Sequence, residues 1–182
     1  LTLMMDANMG WSVPMADIEQ WTFQDALSVA RELEEIGNVG WLEEPLDRRN
    51  YDGLARLRER TDVPIAGGEF NNGVHQFREF IKQGSLDVLQ PDAVLATGIS
   101  GATTVAAMAD THGLEFAPHT WNDGLGFVAN LHGLAATNAR WCEYPLDPPG
   151  WVPASRDFLL ESPVVAENGA VTPPDGPGLG VD

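Results

Sequence analysis

The chain has 182 residues, of which 43% are hydrophobic, so it can bury a core of single-domain size. Its 27 acidic residues against 10 basic ones give a formal net charge of −17. A charge of this size and sign argues against nucleic acid or an anionic membrane surface as a partner, and an anionic substrate would need a local cation.

The cytoplasm is the expected compartment. No apolar run approaches membrane-spanning length by inspection, and no secretory signal pattern opens the chain. The single cysteine, Cys142, cannot form an internal disulfide, which is compatible with a reducing compartment. We interpret Cys142 as a packing residue on a strand.

Strand and helix patterns alternate along the chain. A loop at residues 7–20, which carries Asn8 and Trp11, follows the first strand, and helices are predicted to end at Gly37 and Gly84. Further helices are predicted at residues 51–60, 99–111 and 124–137. Short apolar runs predict strands at residues 1–5, 39–42, 63–66, 86–89, 114–117 and 139–142.

An ionisable residue stands at the carboxyl end of every predicted strand. Every separation after the first is 23 to 27 residues, the length of one βα unit. A lone acid after a strand is more often a turn former or a helix cap, but the repetition argues for a ligand site. The six residues are Asp6, Glu43, Glu69, Asp92, His119 and Glu143.

The repeated units predict an α/β fold, namely six βα units of a (β/α) TIM-type barrel. A closed barrel needs eight strands, and the chain begins inside its first predicted strand. We therefore expect residues 1–182 to be the C-terminal part of a larger catalytic barrel domain. Residues 146–182 would form a closing tail.

The residue types at the strand ends indicate a chemistry. Three carboxylates on successive strands, Asp6, Glu43 and Glu69, must bind protons at a cost or bind a cation. All-oxygen ligands favour Mg²⁺, with Mn²⁺ possible.

The later strand ends carry groups that can move a proton. Asp92 can orient the imidazole of His119 and support its pKa, so that the histidine acts as a general base. Glu143, if protonated in this acidic site, could donate a hydrogen bond to a developing oxyanion.

The motifs together resemble the enolase superfamily, specifically the mandelate racemase subgroup. The resemblance covers nearly the whole chain and lies in Asp6-Ala-Asn8, Glu43-Glu44-Pro45, Gly68-Glu69, Gln90-Pro91-Asp92 and Pro118-His119. It implies a modified (β/α)7β barrel in which Asp6, Glu43 and Glu69 bind Mg²⁺. It also implies an Asp92–His119 acid/base dyad, a hydrogen bond from Glu143 to the substrate carboxylate or its enolate, and Asn8 near the substrate.

Two departures from the family pattern bear on mechanism. Subgroup members commonly place a lysine three residues after the dyad aspartate, where this chain has Leu95. Family members also carry an N-terminal capping domain and a Lys-x-Lys motif on an earlier barrel strand, and neither is present in these 182 residues.

The function predicted from the sequence is Mg²⁺-dependent removal of the proton α to a carboxylate. The favoured reaction is dehydration of a sugar acid by a cytoplasmic enzyme that is a homo-oligomer at full length. Racemisation or epimerisation of a 2-hydroxyacid is the alternative, and it needs a second base on the opposite face of the substrate. A non-catalytic relative that binds metal or sugar acids is the third possibility.

Overall fold

The computed structural model describes residues 1–8, 10 and 19–182. These residues contain one parallel sheet in which five strands follow one another in chain order. Most of the predicted loop at residues 7–20, including Trp11, lies outside the described residues. The strands are β1 Leu3–Asp6, β2 Val39–Glu43, β3 Ile65–Gly67, β4 Val88–Leu89 and β5 Glu115–Phe116.

Helices connect the successive strands, as the alternating pattern predicts. The Thr22 hydroxyl caps the first helix by accepting from the Asp25 amide, and the Asp25 carboxylate accepts from the Thr22 amide. The helices are α1 Phe23–Ile36, α2 Tyr51–Arg58, α3 Val74–Gln83, α4 Gly98–His112, α5 Gly124–Ala135 and α6 Pro153–Arg156.

The two faces of the sheet bury different side chains, because strand residues alternate in direction. The helix-covered face contributes Leu42, Ile65, Leu89 and Phe116 to the main core. A smaller cluster lies on the other face and comprises Trp41, Ala66, Val88 and Ala117, with Met4 and Trp141 packed against it. This arrangement, with sequential parallel strands and helices on one side, is an arc of a (β/α) barrel.

The predicted sixth strand at residues 139–142 is wrong, since this segment does not pair into the sheet. The charged Arg140 interrupts the short apolar run, and the next residue after the segment, Glu143, accepts hydrogen bonds from Thr120 where ladder bonds were expected. Cys142 therefore does not lie on a strand. It is half-buried, and its thiol donates to the Glu143 carbonyl oxygen over 3.4 Å.

A buried arginine, Arg156, packs the segment after position 146 against α5. Arg156 is completely buried, and its guanidinium lies 4.2 Å from the centre of the Phe127 ring and 4.6 Å from that of Tyr144. The guanidinium Nε also donates to Asp157 Oδ1 over 2.6 Å. The sequence pattern did not predict α6 or this contact.

The expectation that no apolar run approaches membrane-spanning length is wrong for one segment. A π-helical turn at Ala93–Thr97 runs into α4, and together they span Ala93–His112, 20 residues that by length and composition alone could cross a membrane. In this fold, however, Ala102, Val105 and Ala109 of α4 are buried in the main core. The segment packs as a helix of an α/β protein.

Candidate active site

The first two predicted metal ligands lie side by side. Asp6 ends β1 and Glu43 ends β2, and the two residues are partners in the parallel register. Asp6 lies two residues after Met4, and Glu43 lies two residues after Trp41. Because strand side chains alternate in direction, all four share one face of the sheet. Glu43 is buried, whereas Asp6 lies exposed at the edge of the arc.

Glu43 is held by two donors that both reach the same carboxylate oxygen. Its Oε2 accepts from Trp41 Nε1 over 3.1 Å and from Gln90 Nε2 over 2.7 Å. Burial and the charge of Asp6 raise the pKa of Glu43 to about 7, although these hydrogen bonds oppose the rise. A metal-free site therefore binds a proton on Glu43 near neutral pH.

A tight turn after β3 brings Glu69 to the same place. Gly68 has a φ of 127°, and a Cβ there would lie 2.6 Å from Cε1 of Phe77, so only glycine fits. Burial raises the pKa of Glu69, and neighbouring carboxylates, led by Glu44, raise it further.

Glu44 itself is buried and has a φ of 46°. The strand thus ends before Glu44, and its side chain lines a small space with Leu54, Phe80 and Leu86 of the main core, on the helix-covered side.

The donor chemistry fits a hard divalent cation. In the part of the chain that the structure describes, no three or more His, Cys, Asp or Glu side chains are placed close enough together to hold a metal ion as they stand. The carboxylates of Glu43 and Glu69 are nevertheless buried among like charges that raise their pKa values. A divalent cation removes that repulsion, and oxygen donors are the ligands that Mg²⁺ prefers.

The Asp92–His119 pair forms as predicted. His119 Nδ1 lies 2.8 Å from Asp92 Oδ2, and its Nε2 lies 3.4 Å from Glu69 Oε2. Burial alone would lower the pKa of His119, but the hydrogen bond to Asp92 and nearby carboxylates such as Glu69 raise it to about 9. The imidazole thus lies between Glu69, one of the buried carboxylates, and Asp92.

Asp92 is an anion held by many donors. Burial would raise its pKa, but the hydrogen bonds from His119, Asn122 and two backbone amides outweigh burial and hold the pKa below its usual value. Asn122 Nδ2 donates to Oδ2 over 2.6 Å, and Asn130 Nδ2 donates to Oδ1 over 3.2 Å. Asp92 also caps the π-helical turn through the amides of Val94 and Leu95.

Glu143 reaches the site although its strand does not form. Its Oε2 accepts from the Thr120 amide over 2.6 Å, and the Thr120 hydroxyl donates to the Glu143 carbonyl. Burial is the main cause of the raised pKa of Glu143, against the opposing charge of His119 and the hydrogen bond from Thr120. A raised pKa favours the protonated carboxyl that hydrogen-bond donation requires.

Asn8 lies against the first carboxylate. Its backbone amide donates to Asp6 Oδ1 over 2.7 Å, and its Nδ2 donates to Asp6 Oδ2 over 2.5 Å. Its φ of 35° is in the left-handed region that asparagine tolerates. The expected contact of Asn8 with substrate stays a prediction.

The sequence matches the enolase C-terminal domain-like family over residues 1–182. The chain belongs to the enolase superfamily.

Curated members of the enolase superfamily similar to this chain include two sugar-acid enzymes. D-galactarolactone cycloisomerase of Agrobacterium fabrum is 32% identical over 100% of the chain and 47% of its own length. Arabinonate dehydratase of Saccharolobus solfataricus is 34% identical over 88% of the chain and 42% of its own length. The chain therefore spans less than half the length of these relatives.

Solved structures of the enolase superfamily show the same fold. L-talarate dehydratase from Polaromonas sp. JS666, complexed with Mg and L-glucarate, superposes with a TM-score of 0.79 at 29% identity. The match covers 100% of this chain and 44% of that one. A mandelate racemase/muconate lactonizing enzyme-like protein from Roseovarius sp. TM1035 superposes with a TM-score of 0.81 at 29% identity, over 92% and 41% of the two chains.

Several residues of this enolase-superfamily site were not among the predicted site residues. Thr120 is the next residue after His119 and Asn122 follows three positions after it, so their proximity to the dyad could have been predicted from the sequence. Asn130 lies in the middle of α5, and a polar residue in an apolar helix was the available signal. Gln90 lies within a quoted motif, but its contact with Glu43 joins residues 47 apart, and no local pattern predicts it.

Proposed function

We propose that the full-length protein is a Mg²⁺-dependent enzyme that removes the proton α to a carboxylate and dehydrates a sugar acid. The observation that carries this proposal is the position of His119. One ring nitrogen bonds the fixed anion Asp92, and the other faces Glu69 among the buried carboxylates. A proton-transfer group and a cation site therefore adjoin each other.

Asp6, Glu43 and Glu69 would hold the cation, and Mn²⁺ could replace Mg²⁺. When bound, the ion supplies positive charge that stabilises the enolate formed on loss of the α-proton. These residues lie at the ends of β1, β2 and after β3, so the site rests on three adjacent units of the sheet.

The roles of the protein groups follow from their contacts. Asp92 accepts from Nδ1 of His119, which fixes the tautomer and leaves Nε2 to move the proton. With the negative charge of Glu69 neutralised, the pKa of His119 falls from about 9 toward neutrality, where it can act as a base or as an acid. Protonated Glu143 can donate a hydrogen bond to the substrate carboxylate or its enolate.

Dehydration balances without another reactant. His119 takes the α-proton and returns it to the β-hydroxyl, which leaves as water, and the resulting enol becomes a 2-keto-3-deoxy acid. The names of relatives support this substrate class, since they include arabinonate, L-talarate/galactarate and D-galactonate dehydratases. Racemisation of a 2-hydroxyacid is the second candidate, and it needs a second base on the face of the substrate opposite His119.

The test is turnover of aldonic and aldaric acids by the full-length protein with Mg²⁺. We expect a 2-keto-3-deoxy acid from at least one of them, measured as its semicarbazone absorbance. Exchange of the α-hydrogen in D₂O with inversion and no keto acid would favour the racemase. If ligands bind with neither exchange nor keto acid across the panel, the protein is a binding relative, and the dehydratase proposal is wrong.

A further inference from the structure

Glu43 differs from a simple carboxylate ligand in the use of its two oxygens. Both donors that reach it, Trp41 Nε1 at 3.1 Å and Gln90 Nε2 at 2.7 Å, bond the same atom, Oε2. No hydrogen bond to Oε1 is recorded among the described residues. Two donors on one oxygen leave the other as the atom that is available to a cation.

These two donors are themselves fixed by the fold. Trp41 lies on β2, two residues before Glu43 and on the same face, and it packs in the cluster with Ala66 and Val88. The backbone amide of Gln90 donates to the Gly67 carbonyl over 3.0 Å, which sets its side chain beside β3. All three residues of this group, Trp41, Glu43 and Gln90, are buried.

The other end of the Gln90 amide argues against a purely structural role. Gln90 is 4% exposed, and its Oε1 has no hydrogen-bond partner in the described part of the chain. Buried amides that serve only the fold are paired at both ends, because an unpaired buried acceptor costs about 1–3 kcal/mol. Gln90 also lines a cavity of about 210 Å³ together with Asp6, Glu43 and Glu143. A water or hydroxyl there can donate to Oε1.

We propose that Trp41 and Gln90 are positioning residues that make Glu43 a one-oxygen ligand and thereby set a preference for Mg²⁺ over Ca²⁺. The inference rests on the proposed role of Glu43 as a ligand. Mg²⁺ demands six ligands in octahedral geometry and keeps waters, whereas Ca²⁺ takes six to eight and accepts carboxylates through both oxygens. A carboxylate with one oxygen engaged elsewhere therefore suits the smaller ion.

The experiment is isothermal titration of the metal-free, full-length protein with Mg²⁺ and separately with Ca²⁺. Gln90→Met keeps the length of the side chain and removes the donor. We expect a loss of Mg²⁺ affinity of about 10- to 100-fold, the usual effect of losing an outer-shell partner. Because Oε2 is released, Ca²⁺ affinity should fall less, so the Mg²⁺/Ca²⁺ ratio drops.

Three further variants make the result decisive. Gln83→Met, at the exposed end of α3, is the matched control and should leave both affinities unchanged. Trp41→Phe removes the other donor and should shift the ratio in the same direction, so it decides the question if Gln90→Met does not fold. Glu43→Gln should abolish tight Mg²⁺ binding, and this variant tests the proposed function.

An unchanged ratio in the folded Gln90 and Trp41 variants would overturn the inference, whether both affinities stay or both fall equally. Retained Mg²⁺ affinity in Glu43→Gln would instead overturn the assignment of Glu43 as a ligand. The two failures are therefore distinguishable.

Discussion

His119 has a carboxylate neighbour at each ring nitrogen, and these two contacts define its role. Asp92 Oδ2 is 2.8 Å from one ring nitrogen, and Glu69 Oε2 is 3.4 Å from the other. The Asp92 side is closed by its other donors, whereas the Glu69 side adjoins the carboxylate group. A variant that replaces the imidazole by a polar side chain that cannot move a proton should separate catalysis from cation binding.

His119→Asn should reduce turnover by about 10² to 10⁴, the usual contribution of a placed general acid or base. Mg²⁺ affinity should stay within a few-fold, since His119 is not a proposed ligand. Steady-state kinetics and titration calorimetry measure the two effects, with the exposed His112→Asn as control. Wild-type turnover in His119→Asn would show that another group transfers the proton.

Asn130 carries a second prediction at this scale. Its Oδ1 accepts from the Ala93 amide over 2.7 Å, and its Nδ2 donates to Asp92 Oδ1 over 3.2 Å. Asn130→Leu would leave the backbone amide of Ala93 without its acceptor. It should lower the free energy of unfolding by about 1–3 kcal/mol in urea denaturation. Asn138→Leu, on an exposed residue, should change it little. Equal stability of the two variants would contradict this account.

At the scale of elements, the turn between β3 and α3 places Glu69 by means of a glycine. Gly68→Ala would force a side chain into a φ of 127° and into contact with Phe77, so we expect a loss of stability of about 1–3 kcal/mol or more. Thermal unfolding measures this loss. Gly150→Ala is the control, because a Cβ there meets nothing within 4 Å. A Gly68 variant as stable as the Gly150 variant would show that the turn tolerates a side chain.

The elements also show what the sequence could and could not predict. The five strands and the ionisable residues at their ends were predictable, because short apolar runs recur at the spacing of one βα unit and this signal is local in sequence. The sixth strand was not, since residues 139–142 resemble a strand in sequence but pair with no neighbouring strand in the fold. The π-helical turn after Asp92 was likewise missed, because periodicity alone does not distinguish it from the start of α4.

Within the site, the side chains that touch across long separations were the least predictable. Glu143 was predicted as a site residue from the periodicity of the chain, and that role stays a prediction; its contact with Thr120 replaces the expected strand pairing. Asn130 and Gln90 reach Asp92 and Glu43 across 38 and 47 positions. Such pairs depend on the packing of helices and strands, which a single sequence does not encode locally.

For the whole molecule, the buried ionisable groups predict how stability depends on pH. The pKa values of Glu43 and Glu69 are raised, Glu43 to about 7, and that of His119 is raised to about 9. A group whose folded pKa is raised contributes stability that is present below the unfolded pKa and is lost as pH rises through the folded value. All three groups therefore act in the same direction.

We expect the metal-free, full-length protein to lose stability between about pH 4.5 and pH 9, as these groups give up their protons. Saturating Mg²⁺ should raise the melting temperature at neutral pH and reduce this slope, because the cation replaces the protons on the carboxylates. Differential scanning calorimetry with EDTA or Mg²⁺ across this range measures both effects. Glu69→Gln is the matched variant and should respond less to Mg²⁺. Identical melting curves with EDTA and Mg²⁺ would contradict the ligand assignment.

The order of the strands has an evolutionary consequence. Because the sheet follows the chain, Asp6, Glu43 and Glu69 belong to the first three units, while Asp92 and His119 belong to the next two. The carboxylates proposed to bind the cation and the residues proposed to move the proton are therefore encoded in separate stretches of the gene, which Gln90 links because it bonds Glu43 from the second stretch. Substitutions confined to the second stretch can therefore change the reaction while Asp6, Glu43 and Glu69 are inherited unchanged.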